Sequence, residues 1–203
     1  MSDAHYRVRV EGDHIKKLAS AKPIQAVAEV VWNAVDADAT RIDLDIESDE
    51  IAMRSVTVRD NGHGIPNSDV EGLFGKLGGS WKAHGARSKT KGRILHGKEG
   101  KGRFKALALG RVVDWTVRYR EGSDLLEYKI SVLRDDLVDV RVSEPKSVDL
   151  ALGTGVEVRI TELDRSYRSL EPQYAVQSLS EIFALYLTDY TDVSVFEIGR
   201  AHV

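Results

Sequence analysis

The sequence predicts an α+β fold: a two-layer sandwich in which helices cover one face of a mixed, mostly antiparallel sheet. Several segments alternate apolar and charged residues, as strands with one buried face do. Two other segments carry apolar residues at the helical spacing of three and four. The middle of the chain reads as successive strands, which places the helices beside the sheet rather than between its strands.

The composition of the chain excludes several kinds of site and partner. The chain has 203 residues, of which 42% are hydrophobic and 30% charged, and this suits one globular domain or one and a half. A net charge of -3 gives no general attraction to nucleic acid or acidic membranes. The absence of cysteine excludes disulfides and thiolate metal sites. With no apolar signal core and no bilayer-length apolar stretch, we expect a cytoplasmic protein without a membrane partner.

The first third of the chain reads as a strand, a helix and two further strands. Residues 6–10 alternate, and Pro23 stands in the first turn of a helix predicted over 24–35. Clean alternation predicts strands at 41–47 and 55–59. The apolar face of the helix is formed by Val27, Val30, Val31 and Ala34.

The remaining two thirds begin with loops and continue mainly as strands. Residues 61–66 form a tight loop, and the glycine-rich, basic stretch 75–102 reads as an irregular lid, with a short helix following at 104–109. We expect strands at 112–119, 125–132, 137–142 and 153–161, a helix over 171–186 and a last strand at 193–196.

The predicted first helix carries a polar face opposite its valines. Glu29, Asn33 and Asp36 stand at positions i, i+4 and i+7, which places them on one side. A carboxamide oxygen is a hard ligand suited to Mg²⁺, and a nearby carboxylate can orient or deprotonate an attacking water. A solvated surface face explains the same spacing equally well.

A second motif, VRDNGHGIP, places Asp60 at the end of a strand, followed by Gly62 and Gly64. The glycines allow a planar ligand to approach the backbone, and a buried aspartate can accept a hydrogen bond from an exocyclic amine such as that of adenine. An ordinary turn between strands is the competing interpretation.

A third motif is glycine-rich and opens a helix. Gly97, Gly100 and Gly102 precede the predicted helix start at Arg103, so free backbone N–H groups could face an anionic phosphate, with Lys101 adding positive charge. The spacing differs from that of a P-loop, and a flexible basic linker is the alternative.

In a fourth motif, GTGVEVRI, the Thr154 hydroxyl stands at a strand entry and could reach a ligand or a water, although a hairpin turn explains it as well.

The order of these motifs resembles the GHKL superfamily, whose ATP-binding fold joins DNA gyrase, the ninety-kilodalton heat-shock chaperones, MutL, MORC proteins and sensor histidine kinases. EVVWNAVDADATRIDLDI is most similar to MutL and DNGHGIP to gyrase or MutL. EGKGRFKALALG is most similar to prokaryotic chaperone-like modules. The resemblance covers roughly residues 20–165.

The resemblance implies a role for each motif residue. Glu29 matches the general base and Asn33 the magnesium ligand, while Asp60 matches the residue that binds the adenine amino group. The remaining nucleotide contacts would be Asp36 near the pocket, Gly62 and Gly64 beside the base, Gly97, Gly100 and Gly102 at the phosphates, and Thr154 supporting Asp60. Lys101 is added as a phosphate contact on its charge alone.

We therefore expect an ATP-binding domain over residues 1–196, with a lid at 75–102, that hydrolyses ATP slowly with Mg²⁺ and so drives a conformational or dimerisation switch. The alternatives are a histidine-kinase-type catalytic domain and a nucleotide-binding regulatory module without turnover. The basic residues of the lid could also contact nucleic acid: Lys82, Arg87, Lys89, Lys91 and Arg93.

The last residues, 197–203, read EIGRAHV and resemble the translation of a common sequencing adapter. We expect them to be a non-native tail. On this interpretation the natural gene continues into C-terminal transducer and effector domains, and an ATP-dependent homodimer is expected.

Overall fold

The computed structural model describes residues 4–7, 21–75, 87–96 and 102–201, and within them nine strands form a single sheet. The strands are β1 (Ala4–Arg7), β2 (Arg41–Ser48), β3 (Met53–Asp60), β4 (Gly110–Glu121), β5 (Asp124–Leu133), β6 (Asp136–Val142), β7 (Lys146–Val148), β8 (Gly155–Leu163) and β9 (Ser194–Ala201). Their order is β1-β6-β5-β4-β8-β3-β2-β9, with β7 beside β5. Neighbours pair antiparallel except β2 and β9, which are parallel, so the predicted mixed, mostly antiparallel sheet is confirmed.

The helices are α1 (Pro23–Asp36), α2 (Val70–Phe74) and α3 (Pro172–Asp189). Short 3-10 helices span Asn67–Asp69, Gly102–Ala108, Leu150–Leu152 and Arg168–Leu170. The helix predicted at 104–109 is therefore a 3-10 helix that begins two residues earlier. None of the helices in the described ranges is long and apolar enough to cross a membrane.

The sheet has one apolar and one charged face, because the residues of its strands alternate. On β2, Ile42, Leu44 and Ile46 are buried in the core beneath the helices. The charged face is held by cross-strand ion pairs, among them Arg59 Nε to Glu157 Oε2 at 2.6 Å. One layer of helices is therefore enough to bury the core, as the alternation predicted.

Helix α1 packs against β3, helix α3 and the 3-10 helix Gly102–Ala108. Pro23 occupies its first turn, and the predicted apolar face of Val27, Val30, Val31 and Ala34 is buried. The Trp32 ring contacts Phe183 and Tyr186 of α3, with ring centroids 4.4 and 5.1 Å apart. These contacts hold the two helices together on the same face of the sheet.

Helix α3 buries only part of its periodic apolar residues. Ala175, Leu179 and Phe183, which are spaced by four residues, are buried. Val176 and Ile182 share the helical spacing of Leu179 and Phe183 but are 47% and 38% exposed. The sequence pattern alone therefore does not tell which apolar positions of this helix face the core.

The chain ends of the fold extend beyond the predicted strands. The first strand was predicted over 6–10, whereas β1 covers Ala4–Arg7 and residues 8–10 lie outside the described ranges. The last strand was predicted to end at 196, whereas β9 continues to Ala201 with its backbone paired to β2. The assignment of 197–203 as a non-native tail stays a prediction.

Candidate functional site

A cavity of about 520 Å³ opens between α1, the loop after β3, and residues 87–96. Asn33 and Asp36 of α1, Asp60 at the end of β3 and Gly64 in the following loop all line it. Its size is that of a small-molecule site, and its walls are mostly apolar with a few polar groups. The apolar wall residues include Val30, Ala34, Ile65, Phe74, Trp115 and Val158.

The Asp60 carboxylate is fixed by two backbone N–H groups. Its Oδ1 accepts hydrogen bonds from Gly62 N at 2.8 Å and from Val156 N at 3.3 Å. Burial raises the pKa of Asp60 to about 6, although these two hydrogen bonds lower it. Within the described part of the chain no hydrogen bond to Asp60 Oδ2 is formed, so this oxygen is available to a ligand in the cavity.

The loop after β3 is attached to the end of α1. Asn61 Oδ1 accepts from the backbone N–H groups of Thr40 and Arg41 at 2.8 and 2.9 Å. His63 N donates to Ala37 O at 2.9 Å. These bonds hold Asp60 at a fixed distance from Asn33 and Asp36, which the sequence alone could not establish.

Position 64 requires glycine for two reasons. Its φ is 72°, in the left-handed region that other residues rarely adopt. A Cβ at this position would also collide with the carbonyl of Arg118. The glycine is thus required where the loop passes β4, and the prediction that it lets a planar ligand approach the backbone stays a prediction.

Glu29 stands one turn before Asn33 and is held by the 3-10 helix that begins at Gly102. Its carboxylate forms an ion pair with Lys105 Nζ, and both side chains are about one quarter to one third exposed. A Cβ on Gly102 would collide with the same carboxylate. Gly102 therefore lies against Glu29, and Lys105 neutralises the residue expected to act as the base.

Asp36 is buried at the C-terminal end of α1, and its Oδ1 accepts a hydrogen bond from His96 N at 2.9 Å. The His96 ring stacks on Trp32, with centroids 3.8 Å apart. Asp36 thus lines the cavity and also holds the end of the 87–96 segment in place.

The segment 87–96, which we call the basic segment, folds back on the protein rather than extending into solvent. Arg93 is only 2% exposed, donates to Ala39 O at 2.7 Å, and pairs with Asp192 at 2.8 Å. Thr90 donates through its backbone and hydroxyl to Asp38 Oδ2. The expectation that Arg93 could contact nucleic acid does not fit this burial, because its guanidinium already has internal partners.

Several predicted site residues lie outside this geometry. Gly97, Gly100 and Lys101 fall outside the described residues. Thr154 precedes β8, where it was expected, and the N–H that reaches Asp60 belongs to Val156, two residues later. The predicted role of Thr154 beside Asp60 stays a prediction.

Arg103 and Lys105 were not singled out in the sequence, although both follow Gly102 directly. Arg103 lines the cavity, with its guanidinium 5.5 Å from the centroid of the Phe74 ring. A basic residue after the last glycine of a phosphate-type loop is the sequence signal that could have identified them.

The side chains that line the cavity can hold a magnesium ion only if phosphate oxygens complete its coordination. In the parts of the chain that the structure describes, no group of three His, Asp and Glu side chains could hold a metal by itself. Asn33 offers one carboxamide oxygen at the cavity wall. One protein oxygen plus substrate and water oxygens is an arrangement that Mg²⁺ accepts.

The comparisons with known proteins agree with this geometry. A family model described as "Histidine kinase-, DNA gyrase B-, and HSP90-like ATPase" matches residues 21–150. This range includes α1, the Asp60 loop and the Gly102 helix.

Relatives named DNA mismatch repair protein MutL match a shorter stretch. The protein from Exiguobacterium sibiricum is 45% identical over 53 residues, which is 26% of this chain and 8% of that protein. Those from Aliivibrio salmonicida and Xylella fastidiosa are 45% and 46% identical over 49 residues, or 24% of this chain and 7% and 8% of theirs. The matches thus span less than a tenth of the length of these relatives.

Proposed function

This chain belongs to the family of histidine kinase-, DNA gyrase B-, and HSP90-like ATPases, and on that premise we propose that its cavity binds ATP with Mg²⁺ and hydrolyses it slowly. The observation that carries the proposal is the Asp60 carboxylate, held at the cavity floor by two backbone N–H groups. Its free oxygen can accept a hydrogen bond from the adenine amino group.

Different walls of the cavity would bind the adenine and the phosphates. The apolar side chains around Trp115 and Val158 would cover the flat faces of the adenine. Asp60 would accept a hydrogen bond from the amino group at its edge. The phosphates would then extend along α1 toward Asn33, whose carboxamide oxygen would hold Mg²⁺. When bound, this ion would neutralise charge on the phosphate oxygens.

Glu29 would accept a proton from the water that attacks the γ-phosphate. Its carboxylate is paired with Lys105, so this lysine would have to release Glu29 before it can act as the base. We further propose that hydrolysis drives a change of shape or of dimer state within a larger protein, for which slow turnover is suited.

Phosphate release by the wild type and Glu29→Ala tests the hydrolysis step. We expect the variant to bind ATP like the wild type and to release phosphate at least about 100-fold more slowly, the usual contribution of a general base. Glu50→Ala, at an exposed position, is the matched control. Normal phosphate release by Glu29→Ala would show that the base is another residue.

A nucleotide-binding module without turnover is the second candidate, and the Glu29–Lys105 ion pair favours it. In that case the wild type would bind ATP, and phosphate release would be absent in both proteins.

A further inference from the structure

Arg103 is a buried cation for which no described residue supplies a negative charge. Its Nη1 is buried and, among the described residues, forms no hydrogen bond. Burial lowers the pKa of Arg103 to about 10, which still leaves the guanidinium charged at neutral pH. A buried charge is normally paired, because removing it from water is costly.

The described residues around the Arg103 guanidinium are aromatic and carry no negative charge. The guanidinium lies over the Phe74 ring, and Phe74 in turn contacts Trp115, with ring centroids 5.2 Å apart. A ring face attracts a cation but accepts none of the five N–H donors in the geometry of a hydrogen bond.

The carboxylates that line the same cavity have other partners. Asp36 accepts from His96 N, and Asp60 accepts from Gly62 N and Val156 N. Asp69 lies 3.8 Å from the ammonium of Lys89, the other cationic residue on the described cavity wall. Among the described residues of this wall, Arg103 is therefore the cation that no carboxylate pairs with.

We propose that Arg103 binds a phosphate group of the nucleotide, an assignment that rests on the proposed function. A guanidinium presents its donors in a planar fork that matches two phosphate oxygens. The position directly after Gly102 places this fork where the 3-10 helix meets the cavity. The phosphate would then neutralise the charge of the guanidinium.

Calorimetric titration of the wild type, Arg103→Met and Arg103→Lys with adenosine and with ADP and Mg²⁺ tests this assignment. We expect the methionine variant to bind ADP about 10- to 100-fold more weakly, and adenosine within about threefold of the wild type. The lysine variant should lie between them for ADP, because it keeps the charge and loses the fork. Arg111→Met is the control, since Arg111 is exposed and pairs with Asp135 and Glu162.

Thermal unfolding separates ligand binding from a structural role. Removing an unpaired buried charge should leave the melting temperature of nucleotide-free Arg103→Met at or above that of the wild type. A lower melting temperature, or equal losses for adenosine and ADP, would overturn the assignment, as would unchanged ADP affinity. If the wild type bound neither ligand, the proposed nucleotide function itself would be wrong.

Discussion

At the scale of single residues, two carboxylates on neighbouring elements are held in opposite ways. Among the described residues, Asp60 accepts hydrogen bonds from two backbone N–H groups and from no positively charged side chain. Glu29 is half-buried and is paired with the ammonium of Lys105. The environment of Asp60 suits a hydrogen-bond acceptor for an uncharged nucleobase. The environment of Glu29 suits a carboxylate that is restrained until a ligand competes for Lys105.

The raised pKa of Asp60 leads to a pH-dependence for binding the nucleoside alone. Because burial raises that pKa to about 6, the carboxyl is mostly protonated at pH 5 and ionised at pH 7.5. If the ionised form binds the adenine amino group, adenosine affinity should fall about tenfold between pH 7.5 and pH 5. Calorimetry at the two pH values measures this change.

Adenosine is the right probe here, because it lacks phosphates that titrate in the same range. The Asp60→Asn variant is the control, since its side chain does not ionise and its affinity should not change over this range. Equal adenosine affinity of the wild type at both pH values would contradict the role of the Asp60 carboxylate.

The Glu29–Lys105 pair leads to a prediction about basal turnover. Lys105→Met should increase phosphate release about fivefold, because losing a half-buried ion pair of about 1 kcal/mol frees the base. Lys129→Met, at an exposed position on β5, should leave the rate unchanged. A slower Lys105→Met enzyme would mean that this lysine assists catalysis rather than restraining the base.

At the scale of elements, the basic segment forms part of the fold. Its backbone closes between Ser88 and Arg93, where Ser88 N donates to Arg93 O at 2.9 Å. Arg93 then connects it to Ala39 after α1 and to Asp192 after α3. The segment therefore joins one wall of the cavity to both helices.

Removing the carboxylate partner of Arg93 should destabilise the protein. We expect Asp192→Asn to lower the free energy of unfolding by about 1–3 kcal/mol, because the buried guanidinium loses a charged acceptor. Asp135→Asn is the matched control: its pair with Arg111 is exposed on both sides and should cost less than about 0.5 kcal/mol. Urea titration compares the two, and equal effects would mean that the Arg93 pair contributes no more than a surface pair.

At the scale of the whole molecule, local sequence patterns predicted the fold well where one face is clearly apolar. The helix expected over 24–35 is α1 (Pro23–Asp36), and the strands predicted between residues 41 and 161 lie within two residues of their predicted bounds. The patterns missed β7, whose three residues are too few to alternate, and the short helix α2, which contains Gly72.

The arrangement of the site was less predictable, because its contacts join distant parts of the chain. The polar face of Glu29, Asn33 and Asp36 follows from helical spacing. The burial of Arg93 does not, since its partner Asp192 lies 99 residues later. A run of basic residues looks the same in sequence whether it extends into solvent or packs against the fold.

Recognition of the adenine of ATP by Asp60 is the step on which the proposed function depends, and a comparison of ATP with GTP tests it. Guanine presents a carbonyl oxygen where adenine presents its amino group, so a carboxylate should accept the one base and repel the other. Calorimetry should show that the wild type binds ATP at least about tenfold more tightly than GTP, and that Asp60→Asn loses at least about tenfold in ATP affinity. Equal affinity of the wild type for ATP and GTP, or undiminished ATP binding by Asp60→Asn, would contradict the recognition of adenine by Asp60.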